Sequence, residues 1–264
     1  MGRVLVATWN VNSIRARLQR VLAWIERRRP DVLCLQELKC TDDEVPRLPF
    51  EAAGYRAAIW GQKTYNGVAI LSNRPLVDVE RGFGDGEAPD TEARLLRATI
   101  DGVRVLCAYV PNGGEVGGPR WPYKLAWLER LERCVERELR RHPLLLLAGD
   151  LNVAPTDRDV AFPEQWRDGV LTHPEVRAAF ARLERVGLVD VLRRHHPDAP
   201  IYTWWDYRAL AFPRGDGMRI DHVLASAALA SRSRGCTVDR DERKGKGPSD
   251  HVPVVVDLDV PPAT

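Results

Sequence analysis

Acidic, amide and histidine side chains follow short apolar runs at five places in the chain. Such runs predict buried strands, and each strand would carry its polar residues to the rim of a sheet. Several oxygen ligands and one imidazole at a common rim would suit a hard divalent cation and the hydrolysis of a phosphate ester. The residues concerned are Asn10, Asn12, Glu37, Asp150, Asn152, Asp221, Asp250 and His251.

The spacing of two amide and acid pairs supports a shared rim. Asn10 and Asn12 are two residues apart, as are Asp150 and Asn152. Side chains alternate faces along an extended strand, so both members of a pair point the same way. Taken alone, either pair could be an Asx turn at a strand end, and Glu37 could be a solvated loop acid. Agreement among five segments favours a site.

His251 stands beside Asp250 and is preceded in the chain by Asp221, on another predicted strand. A carboxylate bonded to one ring nitrogen would fix the tautomer and hold the imidazole in place. Tyr109 ends a further predicted strand that should neighbour the same rim. By itself it could equally be a tyrosine at a sheet edge with a solvated hydroxyl.

Strands and helices alternate along the chain without a low-complexity linker. Two long helices are predicted, one capped by Ser13 and ended by Pro30, the other begun by Pro122 and ended by Pro143. Many strands with few amphipathic helices predict sheets packed face to face and covered by helices, as one domain over 1–264. Strands are predicted over 3–9, 31–35, 55–60, 67–72, 76–81, 94–100, 103–110, 144–148, 201–205, 219–225, 234–239 and 252–258, a third helix over 174–186, and surface loops over 113–122 and 153–172.

Composition describes an ordinary globular chain of 264 residues with 44% hydrophobic residues and a net charge of +2. Only 5 of the 39 basic residues are lysines. An excess of arginine is typical of nucleic-acid partners, but an arginine-biased genome explains it as well. The charge therefore says little about the partner.

The five cysteines show no CxxC spacing, which disfavours a zinc site or a disulfide framework and fits a reducing compartment. No apolar stretch approaches the roughly 20 residues needed to cross a bilayer. Residues 3–9 follow Met1 closely and predict a first strand rather than a secretory signal. We therefore expect a cytoplasmic protein, in a bacterial cytosol or nucleoid, with no membrane partner.

The motifs that contain these residues resemble those of the exonuclease III family of abasic-site endonucleases, within the endonuclease/exonuclease/phosphatase superfamily. They cover nearly the whole chain in the family's order, and the segments at 8–17, 61–72 and 202–208 are the more specific to DNA repair. The matching segments are TWNVNSIRAR (8–17), PDVLCLQELK (30–39), GQKTYNGVAILS (61–72), YVPNG (109–113), GDLNVAPTD (149–157), GLVD (187–190), YTWWDYR (202–208), RIDHVLAS (219–226) and SDHVP (249–253).

The resemblance implies a four-layer α/β/β/α sandwich of the DNase I type, with two mixed sheets face to face and helices outside. It implies that Glu37 is the principal Mg²⁺ ligand and Asp150 the candidate general base. It also leaves open whether Asp150, Tyr109 or His251 takes the proton, and whether one or two ions bind. The implied ligands are Asn10, Glu37, Asp150, Asn152, Asp250 and His251, and the implied catalytic residues are Tyr109, Asp150, Asn152, His251 and Asp221, which would steady the histidine.

The resemblance further implies an apolar slot for a flipped-out, baseless sugar. Trp205 could instead be a core residue, and the loop 153–172 matches the family only at its start. Arg208 would insert into or beside the DNA helix. Trp204, Trp205, Tyr207, Met218 and Ile220 would wall the slot, while Asn12, Lys39, Lys63, Asn112, Arg120 and Lys124 would contact substrate or backbone phosphates.

We therefore expect a monomeric, Mg²⁺-dependent DNA repair nuclease, with Mn²⁺ as a plausible substitute. It would cut double-stranded DNA 5′ to abasic sites and act on 3′ blocked ends as a phosphodiesterase, a phosphatase and a 3′→5′ exonuclease. One alternative is a phosphoesterase of the same superfamily with a non-DNA substrate, which the WWDYR segment disfavours. The other is a non-catalytic binding module, which retention of all the acids and the histidine disfavours.

Overall fold

The computed structural model describes residues 2–260 of the chain, which form twelve strands and eight α-helices. The strands are β1 (Gly2–Asn10), β2 (Val32–Gln36), β3 (Arg56–Trp60), β4 (Val68–Ser72), β5 (Val77–Arg81), β6 (Leu95–Ile100), β7 (Val103–Tyr109), β8 (Leu145–Asp150), β9 (Leu188–Asp190), β10 (Asp221–Ser226), β11 (Ser233–Val238) and β12 (Val254–Val260). The helices are α1 (Ile14–Arg28), α2 (Arg47–Ala52), α3 (Trp121–Arg141), α4 (Pro163–Trp166), α5 (Pro174–Arg185), α6 (Val191–His195), α7 (Ala211–Arg214) and α8 (Ala227–Ala230).

The strands form two six-stranded sheets, in the orders β11-β12-β1-β2-β4-β3 and β5-β6-β7-β8-β10-β9. Each sheet is mixed, because β1 runs parallel to β2 and β7 runs parallel to β8 while the other pairs are antiparallel. The two parallel pairs lie near the centre of their sheets. Several candidate site residues lie at the carboxyl ends of these four strands.

The β8 strand shows how the layers are built. Leu146 and Ala148 pack between the sheets, whereas Leu145 and Leu147 pack against the helices outside. A strand buried on both faces needs apolar residues at every position, which explains the continuous leucine run. The α1 helix covers the first sheet, and α3 and α5 cover the second. The predicted four-layer sandwich of two mixed sheets is confirmed.

Local signals place the ends of the long helices. The Ser13 hydroxyl accepts a hydrogen bond from the Ala16 N–H and caps α1, as predicted. The helix ends at Arg28, before Pro30, because Arg29 adopts a left-handed conformation with φ of 47° and donates its N–H to the Ile25 carbonyl. None of the described helices is both long and apolar enough to cross a bilayer.

The prediction of a strand over 201–205 is wrong. Only Trp204 makes isolated bridges there, to Met218 and His251. The Thr203 hydroxyl accepts the backbone N–H groups of Ile220 and Asp221 in place of a regular ladder. The segment is aromatic and β-branched because it packs beside the site, and these residue types favour strands on composition alone.

Gly149 permits the close approach of β7 and β8 beneath the site. A Cβ at this position would lie 1.8 Å from the carbonyl oxygen of Ala108. Any side chain would therefore push the parallel pair apart. Because Tyr109 is paired with Asp150 in that register, the glycine also sets the separation of two candidate catalytic residues.

Candidate active site

Strand ends from both sheets meet at one edge of the molecule. Asn10 ends β1 in the first sheet, and Glu37 follows directly after β2. Asp150 ends β8 in the second sheet, where it is the register partner of both Tyr109 and Asp221. The sequence prediction that these segments share a rim agrees with this topology.

Asn10 links the two sheets through its side-chain amide. Its Nδ2 donates to Glu37 Oε1 at 2.8 Å and to Asp150 Oδ2 at 2.9 Å. Its Oδ1 accepts the backbone N–H of Asn12 at 3.0 Å. The oxygen is thus turned away from the two carboxylates, contrary to the expectation that Asn10 is a metal ligand. Asn10 instead holds the two acids together.

Glu37, Asp150 and His251 could hold a metal ion. One potential ligand atom from each lies within 4.8 Å of the other two. The two carboxylates offer oxygen donors that suit a hard divalent cation, and the imidazole could join them only in its neutral form. The residues present therefore fit the metal that the motifs imply.

Two other expected ligands are engaged elsewhere. Asp250 lies outside that group of three, and its carboxylate accepts from Asn12 Nδ2 at 2.9 Å and from Trp204 Nε1 at 3.1 Å. The Asn152 oxygen accepts from Asn112 Nδ2 at 3.2 Å, while its Nδ2 donates to the Val110 carbonyl. Both residues fit positioning roles better than the expected ligand roles.

His251 is oriented by a buried carboxylate. Its Nδ1 lies 2.9 Å from Asp221 Oδ2, and its Nε2 lies 3.7 Å from Asp150 Oδ2. Burial lowers the pKa of His251, but the carboxylates of Asp221 and Asp150 outweigh burial and raise that pKa to about 10. The ring is held as an imidazolium with Nε2 directed at the cluster.

The environment of Asp150 favours its protonated form, because this acid is buried and lies near other acids. Burial is the largest cause that raises its pKa to about 7, and Asp221 and Glu37 add to the rise. His251 and the Asn10 amide oppose it. A carboxylate that exchanges its proton near neutral pH is suited to general base catalysis.

Tyr109 is partly buried at the end of β7 and lines the same cavity. Burial, together with the charges of Glu37 and Asp150, raises the pKa of its hydroxyl well above the ordinary value, although Arg94 opposes the shift. The hydroxyl therefore stays protonated and can donate a hydrogen bond at neutral pH.

Four residues just after the strand ends of the site have left-handed backbone conformations. Asn12, Glu37, Lys39 and Asn152 have φ angles of 44°, 55°, 56° and 49°. Residues other than glycine rarely adopt this left-handed region, and strained positions are common at functional sites. Each of the four follows a strand end, so the strain turns polar side chains back towards the rim.

A cavity of about 510 Å³ opens above the cluster. Catalytic candidates and apolar side chains both line this cavity. Met218 is 1% exposed and is not among the described lining residues, so the expectation that it walls the slot is wrong. Trp205 is likewise a core residue, and Tyr207 is exposed. The apolar wall comprises Trp166, Val170, Leu171, Trp204 and Ile220.

Sequence reasoning missed Trp166. It ends α4 inside the segment predicted as a surface loop, and its ring packs edge-on against Trp204 with centroids 6.3 Å apart. The available signal was a tryptophan in a segment that has neither helical nor strand periodicity.

The expected DNA-contacting cations differ in their exposure and fall into three groups. Lys124 is fully buried, and its ammonium donates to the carbonyls of Asn112, Asn152 and Val170 at 3.0, 2.8 and 2.7 Å. It cannot reach a phosphate, so that prediction is wrong. Lys39 lies within the site, where it pairs with Glu37 at 2.8 Å. Lys63, Arg120 and Arg208 are exposed.

The chain is similar in sequence and in fold to known DNA-processing enzymes. The chain is 34% identical to exodeoxyribonuclease III of Haemophilus influenzae over 94% of this chain and 97% of that protein. An AP endonuclease of Archaeoglobus fulgidus superposes with a TM-score of 0.93 at 41% identity, covering 97% of this chain and 100% of that one. A 3′ phosphatase from Neisseria, bound to a product DNA hairpin, gives a TM-score of 0.95 at 40% identity and covers 97% and 99%. Residues 7–251 match the family model directly, so the chain belongs to the endonuclease/exonuclease/phosphatase family.

Proposed function

We propose that this protein is a metal-dependent DNA repair nuclease that hydrolyses the phosphodiester 5′ to an abasic site. It also removes blocking groups from 3′ ends and degrades duplex DNA as a 3′→5′ exonuclease. The single observation that carries the proposal is the gathering of Glu37, Asp150 and His251 within 4.8 Å, beneath a cavity with an aromatic wall. Its relatives, named as exodeoxyribonuclease III, AP endonuclease and 3′ phosphatase, support the same class of reaction.

Asp150 and His251 have different roles in the reaction: one transfers a proton and the other stabilises charge. Asp150 is the base that accepts a proton from the attacking water, since its pKa lies near neutrality. His251, held by Asp221, presents its Nε2 proton to a phosphoryl oxygen and offsets the charge that grows there. The Asn152 amide, fixed by Val110 and Asn112, orients the water or the phosphate.

Glu37 would hold the divalent cation as its principal ligand, since Asp150 is needed as the base and the imidazolium form of His251 has no free lone pair for a metal. We propose Mg²⁺, with Mn²⁺ able to replace it. When bound, the cation supplies positive charge that stabilises the phosphoryl oxygens in the transition state, an effect of several kcal/mol. Tyr109, still protonated, donates to the phosphate or to the leaving oxygen.

The cation should matter for binding as well as for catalysis. The described lining residues of the cavity include six carboxylates, and His251 is the only basic side chain among them. A phosphodiester is anionic, so those charges oppose its entry. The carboxylates belong to Glu37, Glu115, Asp150, Asp168, Asp206 and Asp250.

The apolar wall favours a sugar that has lost its base. Flipping a nucleotide out of a duplex costs a few kcal/mol, and the cost is smaller for a damaged position. Trp204, Trp166 and Ile220 can pack against the sugar, while the exposed Lys63, Arg120 and Arg208 contact the DNA backbone.

We propose that the chain works as a single domain and as a monomer. Its five free, buried cysteines support a cytoplasmic location.

The substrate class is tested with end-labelled duplexes that carry an abasic analogue, a 3′-phosphate or a plain recessed end, each with Mg²⁺ and with chelator. We expect incision of the abasic duplex and processing of both 3′ ends with Mg²⁺, and loss of all three with chelator. Small phosphodiesters serve as the comparison. Faster hydrolysis of those than of abasic duplex would contradict a DNA substrate.

A further inference from the structure

Arg94 lies directly before β6, and its guanidinium covers one face of the Tyr109 ring. The guanidinium carbon is 4.6 Å from the ring centroid, and the side chain is only 6% exposed. Arg94 Nη1 donates to the Tyr109 carbonyl at 3.2 Å, while the Tyr109 N–H donates to the Arg94 carbonyl at 2.7 Å. Two hydrogen bonds and one stacking contact therefore join Arg94 to Tyr109.

The guanidinium is itself anchored from the other side. Arg94 Nε donates to Glu92 Oε2 at 2.6 Å. Glu92 also accepts from Arg120 Nη2, at 2.7 Å to Oε1 and 3.0 Å to Oε2. An arginine fixed by its backbone carbonyl contact and by a carboxylate can serve as a rigid plate, since the planar guanidinium stacks on aromatic rings.

The location of Tyr109 in the fold explains why a rigid stacking partner affects the orientation of its ring. It is the last residue of β7, opposite Asp150 in register, and beyond it the chain leaves the sheet. One side of the residue faces the open cavity above Glu37, Asp150 and His251. The ring packs against the apolar core between the two sheets, and a further cavity is lined by both Tyr109 and Arg94. The stacked Arg94 guanidinium adds a contact that the core alone does not supply to the ring.

We propose that Arg94 is a positioning residue for phosphodiester cleavage, whose stacked guanidinium fixes the Tyr109 ring so that the hydroxyl is directed at the reacting phosphate. The inference rests on the proposed function, in which Tyr109 contacts that phosphate. Arg94 lies outside the cluster of Glu37, Asp150 and His251, and its described side-chain contacts are with Tyr109 and Glu92. Its effect on the reaction therefore passes entirely through Tyr109.

A double-mutant cycle tests this dependence. Arg94→Gln, Tyr109→Phe and the double variant are compared on abasic duplex with saturating Mg²⁺. We expect Arg94→Gln to lower kcat about tenfold and to leave KM within about twofold, because the stacking contact affects the orientation of a reacting group. In the Tyr109→Phe background, which lacks the hydroxyl, the same change should have almost no effect on kcat. An equal loss of kcat in both backgrounds would overturn the proposal.

A matched control separates positioning from general stability. Arg97 is also a buried arginine of this segment, and it donates to Glu138 at 2.7 Å and to the Gly82 carbonyl at 3.0 Å instead of stacking on Tyr109. Arg97→Gln should lower the midpoint of denaturant unfolding, and any change in kcat should be the same in the wild-type and Tyr109→Phe backgrounds. Coupling of Arg97 to Tyr109 as large as that of Arg94 would contradict the assignment.

A conservative variant covers the case in which Arg94→Gln fails to fold. Arg94→Lys keeps the cation but loses the flat plate and the forked donors. It should recover the unfolding midpoint while kcat stays below the wild-type value. Full recovery of kcat by lysine would show that charge alone is needed and would overturn the stacking argument.

A readout without substrate separates this inference from the proposed function. Ring resonances of Tyr109, assigned by comparison with Tyr109→Phe, report how freely the ring turns. The ring should flip faster in Arg94→Gln than in the wild type or in Arg97→Gln. Unchanged ring motion would overturn the proposal even if the protein cleaves abasic DNA. Faster ring motion in a protein that cleaves no abasic DNA would instead remove the proposed function.

Discussion

At the scale of single residues, Asp150 and His251 are two neighbours whose pKa values are both raised. Burial raises the pKa of Asp150 to about 7, whereas carboxylates outweigh burial and raise that of His251 to about 10. The reaction needs Asp150 deprotonated and His251 protonated. That combination predominates between the two values, so the site carries the required charges from about pH 7 to about pH 10.

These shifts predict a bell-shaped pH profile for kcat/KM on abasic duplex. Activity should rise as pH passes through about 7, because Asp150 loses its proton, and fall near about 10, because His251 loses its proton. Bound Mg²⁺ should move the acidic limb to lower pH, since a cation favours the carboxylate. The profile is measured at several Mg²⁺ concentrations, and activity that declines from about pH 6 to 8 would contradict the assignment of base and acid.

Replacement of the histidine tests the charge that it supplies. His251→Ala should lower kcat at least about a hundredfold, the order of general acid–base and charge-stabilising effects, while the protein still folds. Asp221→Asn should give a smaller loss, because it leaves the imidazole in place without its carboxylate. Single-turnover incision and circular dichroism of both variants provide the measurement. Near wild-type turnover of folded, metal-saturated His251→Ala would refute the role.

Residue type and position predicted which side chains gather, but not how each one is used. Glu37, Asp150 and His251 were predictable because each follows or precedes an apolar run that had to be a strand. The roles of Asn10 and Lys124 were not, since they depend on which partner each amide or ammonium finds in three dimensions. Trp166 could not be placed either, because its loop has no periodic pattern that fixes its direction.

At the scale of elements, Lys124 ties the N-terminal part of α3 to three other segments. Its ammonium binds carbonyls that belong to Asn112, Asn152 and Val170, so one buried cation joins the loops that carry catalytic amides and the apolar wall. Burial lowers the pKa of Lys124, but the Asp150 carboxylate opposes that shift, and three carbonyl acceptors match the three N–H groups of the ammonium form. A buried amine with three acceptors is a structural group, and its removal would leave those carbonyls without their partner.

Replacement of Lys124 should therefore weaken the fold and leave the salt dependence of DNA binding unchanged. Lys124→Met should lower the free energy of unfolding by about 2–4 kcal/mol, because three buried carbonyls lose a charged donor. The slope of log binding constant against log salt should stay at the wild-type value. Arg120→Ala, the exposed control, should reduce that slope by about one. A shallower slope in Lys124→Met would indicate a phosphate contact after all.

Long elements were predictable because their hydrophobic periods are unambiguous. The leucine run of β8 and the amphipathic pattern of α3 both appear close to the predicted bounds. The short strand β9 and the segment 201–205 were not predicted correctly, because tertiary contacts decide their conformation. Thr203 serves as an acceptor for two backbone N–H groups, a role that its residue type does not reveal.

At the scale of the whole molecule, the site exists because two sheets face each other. Asn10 and Glu37 come from the first sheet, and Asp150 and Asp221 from the second. Sequence spacing could place each pair at a strand end, and the pattern of strands and helices predicted sheets packed face to face. Which strand ends belong to which sheet could not be read from that pattern. The molecule as a whole has a net charge of +2, yet its cavity is acidic. A cation is therefore the natural partner of that cavity.

The Mg²⁺ dependence of single-turnover incision, compared between the wild type, Glu37→Gln and Glu115→Gln, tests this account most directly. Glu115 also lines the cavity but lies outside the group of three, so it is the matched control. We predict that Glu37→Gln raises the Mg²⁺ concentration for half-maximal rate and lowers the maximal rate at least about a hundredfold, whereas Glu115→Gln changes neither by more than about twofold. Incision that persists in chelator, or equal Mg²⁺ curves for Glu37→Gln and the wild type, would contradict the claim that Glu37 binds the catalytic cation.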